Sequence, residues 1–186
     1  TYNVAVGYNA GLSLTTGIQN TLIGGLAGDV LTDADYNVAV GISALGADTL
    51  GSKSVAIGGN CLTAQNFTTA TDSYNTAVGY AAGAGVTTGI RNTLIGGAAG
   101  DALTDADYNV AIGMGALGAD VTGNKSVAIG VDALATQNRS GDNLNVAVGY
   151  TAGIAVTTGV QNTLIGSLSG DALTDGIENV MLGYDT

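Results

Sequence analysis

The chain has 186 residues, 46% hydrophobic and only 10% charged, and its 15 acids against Lys53, Arg91, Lys125 and Arg139 give a formal charge of −11. Four scattered cations offer no basic stripe to a phosphate backbone, and no apolar run approaches the roughly 18 residues of a membrane helix, so no nucleic acid and no direct membrane insertion are expected. With no histidine, no proline, one cysteine and 31 glycines outside any G-X-Y period, collagen, histidine-ligated zinc, Ser-His-Asp or Cys-His catalysis and an intrachain disulfide are all ruled out.

The first predicted element is a short strand in the phrase Asn3-Val4-Ala5-Val6-Gly7. The same pattern, Asn/Ser-x-apolar-aliphatic-Gly, returns from Asn20, Asn37, Ser54, Asn75, Asn92, Asn109, Ser126, Asn145, Asn162 and Asn179. One strand written eleven times is the mark of a solenoid, in which each unit buries its apolar side only by stacking on a copy of itself. The fold class is therefore all-β: a parallel β-solenoid of about eleven coils, forming one repetitive unit over residues 1–186. At roughly 4.8 Å per coil the stack makes a rod roughly 50 Å long.

Positions are numbered from the phrase Asn or Ser as zero. Position +1 is always Val or Thr and position +3 always Val, Ile or Leu, so this largely β-branched pair shares one face of the strand. Position +2 points the other way yet is also apolar: Ala5, Leu22, Ala39, Ala56, Ala77, Leu94, Ala111, Ala128, Ala147, Leu164, Met181. A lone solenoid has one dry side, so two apolar rows imply a second dry surface. The expectation is that the +1/+3 row fills the tube and the small +2 row lines the contact of a homo-oligomer, most simply a cyclic trimer.

Position +4 is Gly in all eleven phrases, which marks a positive φ or a backbone approach too close for a side chain. Position +7 is small throughout, and there Cys61 reads as a buried small residue. Position +8 runs Gly, Gly, Leu, Leu and repeats, so four coils make a super-repeat, dividing the chain into 1–73, 74–143 and 144–186. Phrases are 17 residues apart except after Ser54, where the interval is 21, and after Ser126, where it is 19. Extra residues cannot enter stacked strands, so 67–73 and 139–144 are expected to bulge outward. Their residues Phe67, Thr68, Thr69, Asp72, Arg139, Ser140, Asp142 and Asn143 are candidate binding loops.

Two further groups are candidates for chemistry. Asp29, Asp33 and Asp35 recur as Asp101, Asp105 and Asp107, hard oxygen ligands that hold Ca²⁺ if the turn folds back; the competing reading is that of ordinary turn-forming residues. No other cofactor is implied. Tyr8, Tyr80, Tyr150 and Tyr184 follow the phrase Gly, while Tyr2, Tyr36, Tyr74 and Tyr108 precede the phrase Asn; packing over strand ends is the expected role, with sugar stacking the alternative. Paired carboxylates leave a glycan hydrolase as the one enzyme class to weigh, against an overall reading that the chain is not an enzyme.

The phrases Ser54-Val55-Ala56-Ile57-Gly58 and Ser126-Val127-Ala128-Ile129-Gly130 resemble the SVAIG unit in the heads of trimeric autotransporter adhesins of the YadA type. Asn75-Thr76-Ala77-Val78-Gly79-Tyr80-Ala81-Ala82-Gly83, with Thr87-Thr88-Gly89 and Asn92-Thr93 after it, is similar to repeat arrays of bacteriophage tail fibres. The resemblance covers essentially the whole chain and implies a left-handed parallel β-roll, three chains about one axis, and attachment to a surface. Coils of 17 residues are longer than the usual adhesin coil, which favours the phage fibre. The expected function is a structural segment of a virion tail fibre presenting receptor-binding surfaces to a host-cell glycan or protein. The alternatives are an extracellular adhesin head on a bacterial surface and a fibre-borne glycan hydrolase. The chain reads as an excerpt of a longer fibre.

Overall fold

The computed structural model describes residues 2–186. Among them are fifteen short strands and no helix. Eleven strands coincide with the phrases: β1 (Val4–Val6), β2 (Thr21–Ile23), β3 (Val38–Val40), β5 (Val55–Ile57), β7 (Thr76–Val78), β8 (Thr93–Ile95), β9 (Val110–Ile112), β11 (Val127–Ile129), β13 (Val146–Val148), β14 (Thr163–Ile165) and β15 (Val180–Leu182). They form one parallel sheet in chain order, and each residue pairs with the same phrase position of the next coil, as Ala5 with Leu22 and Leu22 with Ala39. The four remaining strands, β4 (Gly51–Ser52), β6 (Thr71–Asp72), β10 (Gly123–Asn124) and β12 (Gly141–Asp142), make two short parallel ladders, β4 with β6 and β10 with β12, where the chain carries its extra residues. The architecture is thus a parallel β-solenoid of about eleven turns.

The strand stops at the +4 glycine for both of the reasons that the sequence allows. Its φ lies between +131° and +147° in every copy, and a Cβ added to Gly41 would stand 2.5 Å from the carbonyl oxygen of Gly58 in the next coil. Neighbouring coils touch there, backbone on backbone. The bend into the strand is made by an ordinary L-residue in the left-handed region at position −1, from Tyr2 (φ 66°) to Glu178 (φ 59°). Such a conformation costs about 1 kcal/mol or more per residue. It is offset in part by a hydrogen bond to the preceding coil, as from Lys53 N–H to the Asp35 carbonyl at 2.9 Å and Arg91 N–H to the Ser73 carbonyl at 2.8 Å.

The side of the strand that faces the core is the reverse of the one expected. The +2 row points inward: Leu22, Ala39, Ala56, Ala77, Leu94, Ala111, Ala128, Ala147 and Leu164 are fully buried within a single chain, joined by the +7 row and by Leu45, Leu62, Leu117 and Leu134 at +8. Ala5 and Met181 belong to the same row and are less covered because they lie in the first and last coils. These residues are therefore core and not the trimer contact. The +1/+3 row faces outward, half-buried to exposed along the whole sheet.

A thin tube explains the inversion and the super-repeat together. Where +2 is Leu, the glycines at +8 leave room for it: a Cβ on Gly28 would meet Leu22 at 2.9 Å, and one on Gly100 would meet Leu94 at 2.8 Å. Where +2 is Ala, in the third and fourth coils of each set, +8 becomes Leu45, Leu62, Leu117 or Leu134. The interior is filled from positions that change along the set, Leu22 at +2 with Leu31 at +11 in one coil, Leu45 and Leu62 at +8 in the next two and Val86 at +11 in the fifth, to the density that a close-packed core requires.

Two adjacent glycines separate backbone demand from its absence. In Gly96→Ala the new methyl would lie 2.6 Å from the Gly113 carbonyl at a φ of +135°, so the substitution is expected to cost about 3 kcal/mol or more. Gly97 has open space around it and no positive φ, so Gly97→Ala is expected to shift stability by less than about 0.5 kcal/mol. Thermal unfolding of the two variants side by side checks this difference.

Candidate interaction surface

A ladder of buried Asn side chains fixes one edge of the sheet. The side-chain oxygen of Asn20 accepts from the N–H of Asn37 at 2.9 Å, and that of Asn37 accepts from the N–H of Ser54 at 2.8 Å. Every Asn amide of the ladder before Asn179 donates across its own coil to the carbonyl at +14, as Asn20 to Ala34 at 2.7 Å and Asn37 to Gly51 at 2.8 Å. The ladder breaks at Ser54 and Ser126. These open the two coils with extra residues, and a serine has no side-chain amide to donate to a +14 carbonyl.

A buried polar node spans each break. Gln65 donates to Asp48 at 2.6 Å and to the Ser54 hydroxyl at 2.8 Å, while its carbonyl oxygen accepts from Asn75 at 2.9 Å and so rejoins the ladder. Gln137 repeats this with Asp120 at 2.5 Å, Ser126 at 3.0 Å and Asn145 at 2.8 Å. Asp48 also accepts from the N–H groups of Gly51 at 3.0 Å and Phe67 at 3.1 Å. Burial raises the carboxyls of Asp48 and Asp120 above the usual 3.8, against the pull of the glutamine and backbone donors. Sequence reasoning missed the role of these residues. Its available signal was the coincidence of Ser at position zero with an irregular interval.

The bulges are only in part the loops expected. Phe67 is 5% exposed, packed beside Gly51, and Asn143 is fully buried, donating to Asp120 at 3.3 Å and to the Arg139 carbonyl at 3.2 Å. Thr68, Thr69, Asp72, Arg139, Ser140 and Asp142 lie on the surface. Asp72 and Asp142 are engaged by Lys53 and Lys125, the second pair at 2.5 Å. Exposed pairs of this kind contribute little to stability.

The acidic turns do not assemble a metal centre: among the described residues no three carboxylates or thiols gather closely enough to hold an ion. Asp35 and Asp107 instead accept from the N–H groups of Ile18 and Ile90, both at 2.8 Å, and Asp33 accepts from Thr16 at 2.5 Å. Asp29, Asp101 and Asp105 are not drawn together with them, and the turn-forming reading accounts for the row. Cys61 is buried, donates to the Ala77 carbonyl at 3.2 Å and has its thiol pushed up to about 12 by burial, far from a reactive thiolate.

An extended, partly apolar surface is the outward side of the eleven-stranded sheet. Its +1 and +3 residues include Ile23, Ile57, Ile95 and Ile165, each more than a third exposed, and it is bordered by tyrosines that do not pack down over strand ends, from Tyr108 at 46% to Tyr2 at 86% exposed. At −1 the column is self-supporting, since Lys53 lies over the Tyr74 ring at 5.1 Å and Arg91 over Tyr108 at 5.2 Å. Ring faces covered by a cation are poorly placed for stacking on sugar. This partly apolar face continues through all eleven coils, unlike the isolated patches of ordinary monomers.

The two buried acids give a pH signature. Their folded pKa lies above the unfolded value of 3.8, so between those limits the folded state binds more protons and stability rises as pH falls, by at most about 1.4 kcal/mol per pH unit for each carboxyl. Acidifying from neutrality is expected to raise the unfolding midpoint before the other carboxylates titrate. The variant Asp48→Asn/Asp120→Asn is expected to lose that rise, and identical pH profiles for the two proteins would refute the assignment. Comparison of the chain with protein-family models, with curated proteins and with solved structures finds no match.

Proposed function

We propose that this chain is a structural attachment segment: a length of bacteriophage tail fibre in which three copies, each wound as a left-handed β-roll, lie side by side about a common axis. One observation carries the reading. The sheet runs uninterrupted through eleven coils and keeps Val, Ile and Thr on its solvent side throughout, a surface that a single chain leaves uncovered. Three such faces turned toward one axis bury each other. The resulting rod holds three sets of bulges at fixed heights, and weak contacts made by each set add through effective concentration.

The reading is mechanical and not catalytic. The two most strongly perturbed carboxyls, Asp48 and Asp120, are sealed inside the tube, which supports it. The exposed loop residues Thr68, Thr69, Arg139 and Ser140 suit polar contacts to a host-surface glycan or protein. The phrases beginning at Ser54 and Ser126 favour the second reading, an adhesin head on a bacterial surface. Among the described residues no helix is long and apolar enough to cross a membrane.

Solution mass tests the assembly: the chain is expected at three times 18.1 kDa, and Ile57→Asn/Ile129→Asn is expected to remain a folded solenoid while dissociating. Binding of the rod to arrays of bacterial surface polysaccharide supports the tail fibre. Binding to animal matrix proteins instead supports the adhesin, and release of reducing ends from the polysaccharide would replace both with the hydrolase.

A further inference from the structure

The outward face has two borders, at positions −1 and +5, and they alternate together. In odd-numbered coils from the first to the ninth both are large and mostly apolar, as Tyr36 with Ile42, Tyr74 with Tyr80 and Tyr108 with Met114, while the eleventh departs with Glu178 opposite Tyr184. In even-numbered coils a long hydrophilic residue at −1 is matched by a glycine at +5: Gln19 with Gly25, Lys53 with Gly59, Arg91 with Gly97. The tenth coil keeps the rule with Gln161 and Ser167, and the eighth keeps the cation, Lys125, but places Val131 opposite. The large +5 residues stand proud, Ile42 at 62% and Tyr80 at 69% exposed, so this border is a row of knobs separated by gaps two coils apart.

Nothing inside the chain requires the gaps at Gly25 and Gly97, whereas a Cβ on Gly59 would lie in ordinary contact with Ile42 at 3.4 Å and Tyr80 at 3.6 Å. Unlike the +4 glycines, Gly25 and Gly97 have no positive φ, and a Cβ on either would meet no atom within 4 Å. The constraint on these positions therefore comes from outside the chain. The outward face, roughly 50 Å long and four outward residues wide, offers about 1,000 Å², above the roughly 800 Å² per partner of a stable interface. A second copy of the chain matches its length, its apolar stripe and its two-coil rhythm at once.

Building on the trimer reading, we infer that the −1 border of each copy seats against the +5 border of the next at the same height. Tyrosine then meets Tyr80, Ile42 or Met114 in odd coils, and Gln19, Lys53 and Arg91 lie across the gaps at Gly25, Gly59 and Gly97 in even coils. In a closed ring the contact joins two different borders, and the symmetry has no rise, so coil meets like coil. A one-coil stagger sets the tyrosines against the glycine gaps and the cations against the knobs, Lys53 on Ile42 and Arg91 on Tyr80 in one sense or Lys53 on Tyr80 and Arg91 on Met114 in the other, and it gives up the contacts of Tyr36, Tyr74 and Tyr108 with the knobs, so the alternation selects the level ring over an open, staggered filament. Within one chain Lys53 and Arg91 lie along their own column, over the tyrosine of the following coil.

Paired cysteines test this in the 186-residue chain. Within one copy, positions 91 and 97 lie at opposite ends of a strand, roughly 20 Å apart and far beyond disulfide reach. Arg91→Cys/Gly97→Cys is expected to oxidise to a covalent trimer on non-reducing gels, whereas Arg91→Cys alone stays monomeric there. In a second variant, Gly25→Leu/Gly97→Leu is expected to keep the solenoid's circular dichroism while its trimer dissociation constant rises at least ten-fold. A trimeric wild type that neither cross-links through 91 and 97 nor weakens with leucine in the gaps would overturn the border contact and leave the trimer standing. A wild type that is monomeric at all concentrations would overturn both.

Discussion

The structure depends on one constraint: backbone lies directly on backbone at the same place in every coil. Where the +4 glycines meet, as Gly24 on Gly41 and Gly41 on Gly58, there is no room for a single added carbon. That contact fixes the register, since a slip of one residue would set a side chain into a carbonyl. Once register is fixed, like residues fall on like, and the Asn ladder, the outward stripe and the alternating borders all become columns along the rod. No coil buries its core alone, so stability belongs to contacts between neighbours.

Within that frame the four-coil super-repeat is a packing solution. A 17-residue coil encloses a narrow tube, and each coil fills it from its own set of positions, Leu22 with Leu31 in the second and Leu94 with Leu103 in the sixth. Leucine enters from the sheet in the second coil and from the opposite wall in the third and fourth, with glycine or alanine facing it each time. The polar nodes fall where the sequence needs extra residues for a bulge. Asp48, Gln65 and Asn75 show that a buried carboxylate is tolerated when both of its oxygens accept hydrogen bonds, at the cost of a raised pKa.

Much of this was legible in the sequence. The eleven phrases, the +4 glycine, the small +7 slot and the outward displacement of extra residues follow from spacing alone. The sense of the strand did not follow, because both rows are apolar and hydrophobicity cannot say which is inside. Size could have: Leu22 and Leu94 occur only where +8 is Gly, a compensation expected of residues that touch, whereas the +1/+3 row varies without regard to +8. The acidic turns misled for a different reason. Asp35 and Asp107 recur because they cap a backbone N–H in the neighbouring coil, which produces the same periodic carboxylates as a metal site would.

The polar nodes recur once in every four coils, and each spans a break in the Asn ladder that the next phrase, at Asn75 or Asn145, then restores. A whole set of four can therefore be gained or lost with every inner and outer column still meeting its proper neighbour, because the border rhythm of two divides evenly into four. Reach then changes in increments of roughly 19 Å. Such a protein is a ruler cut in fixed divisions, whose length can drift over evolutionary time while its cross-section stays the same.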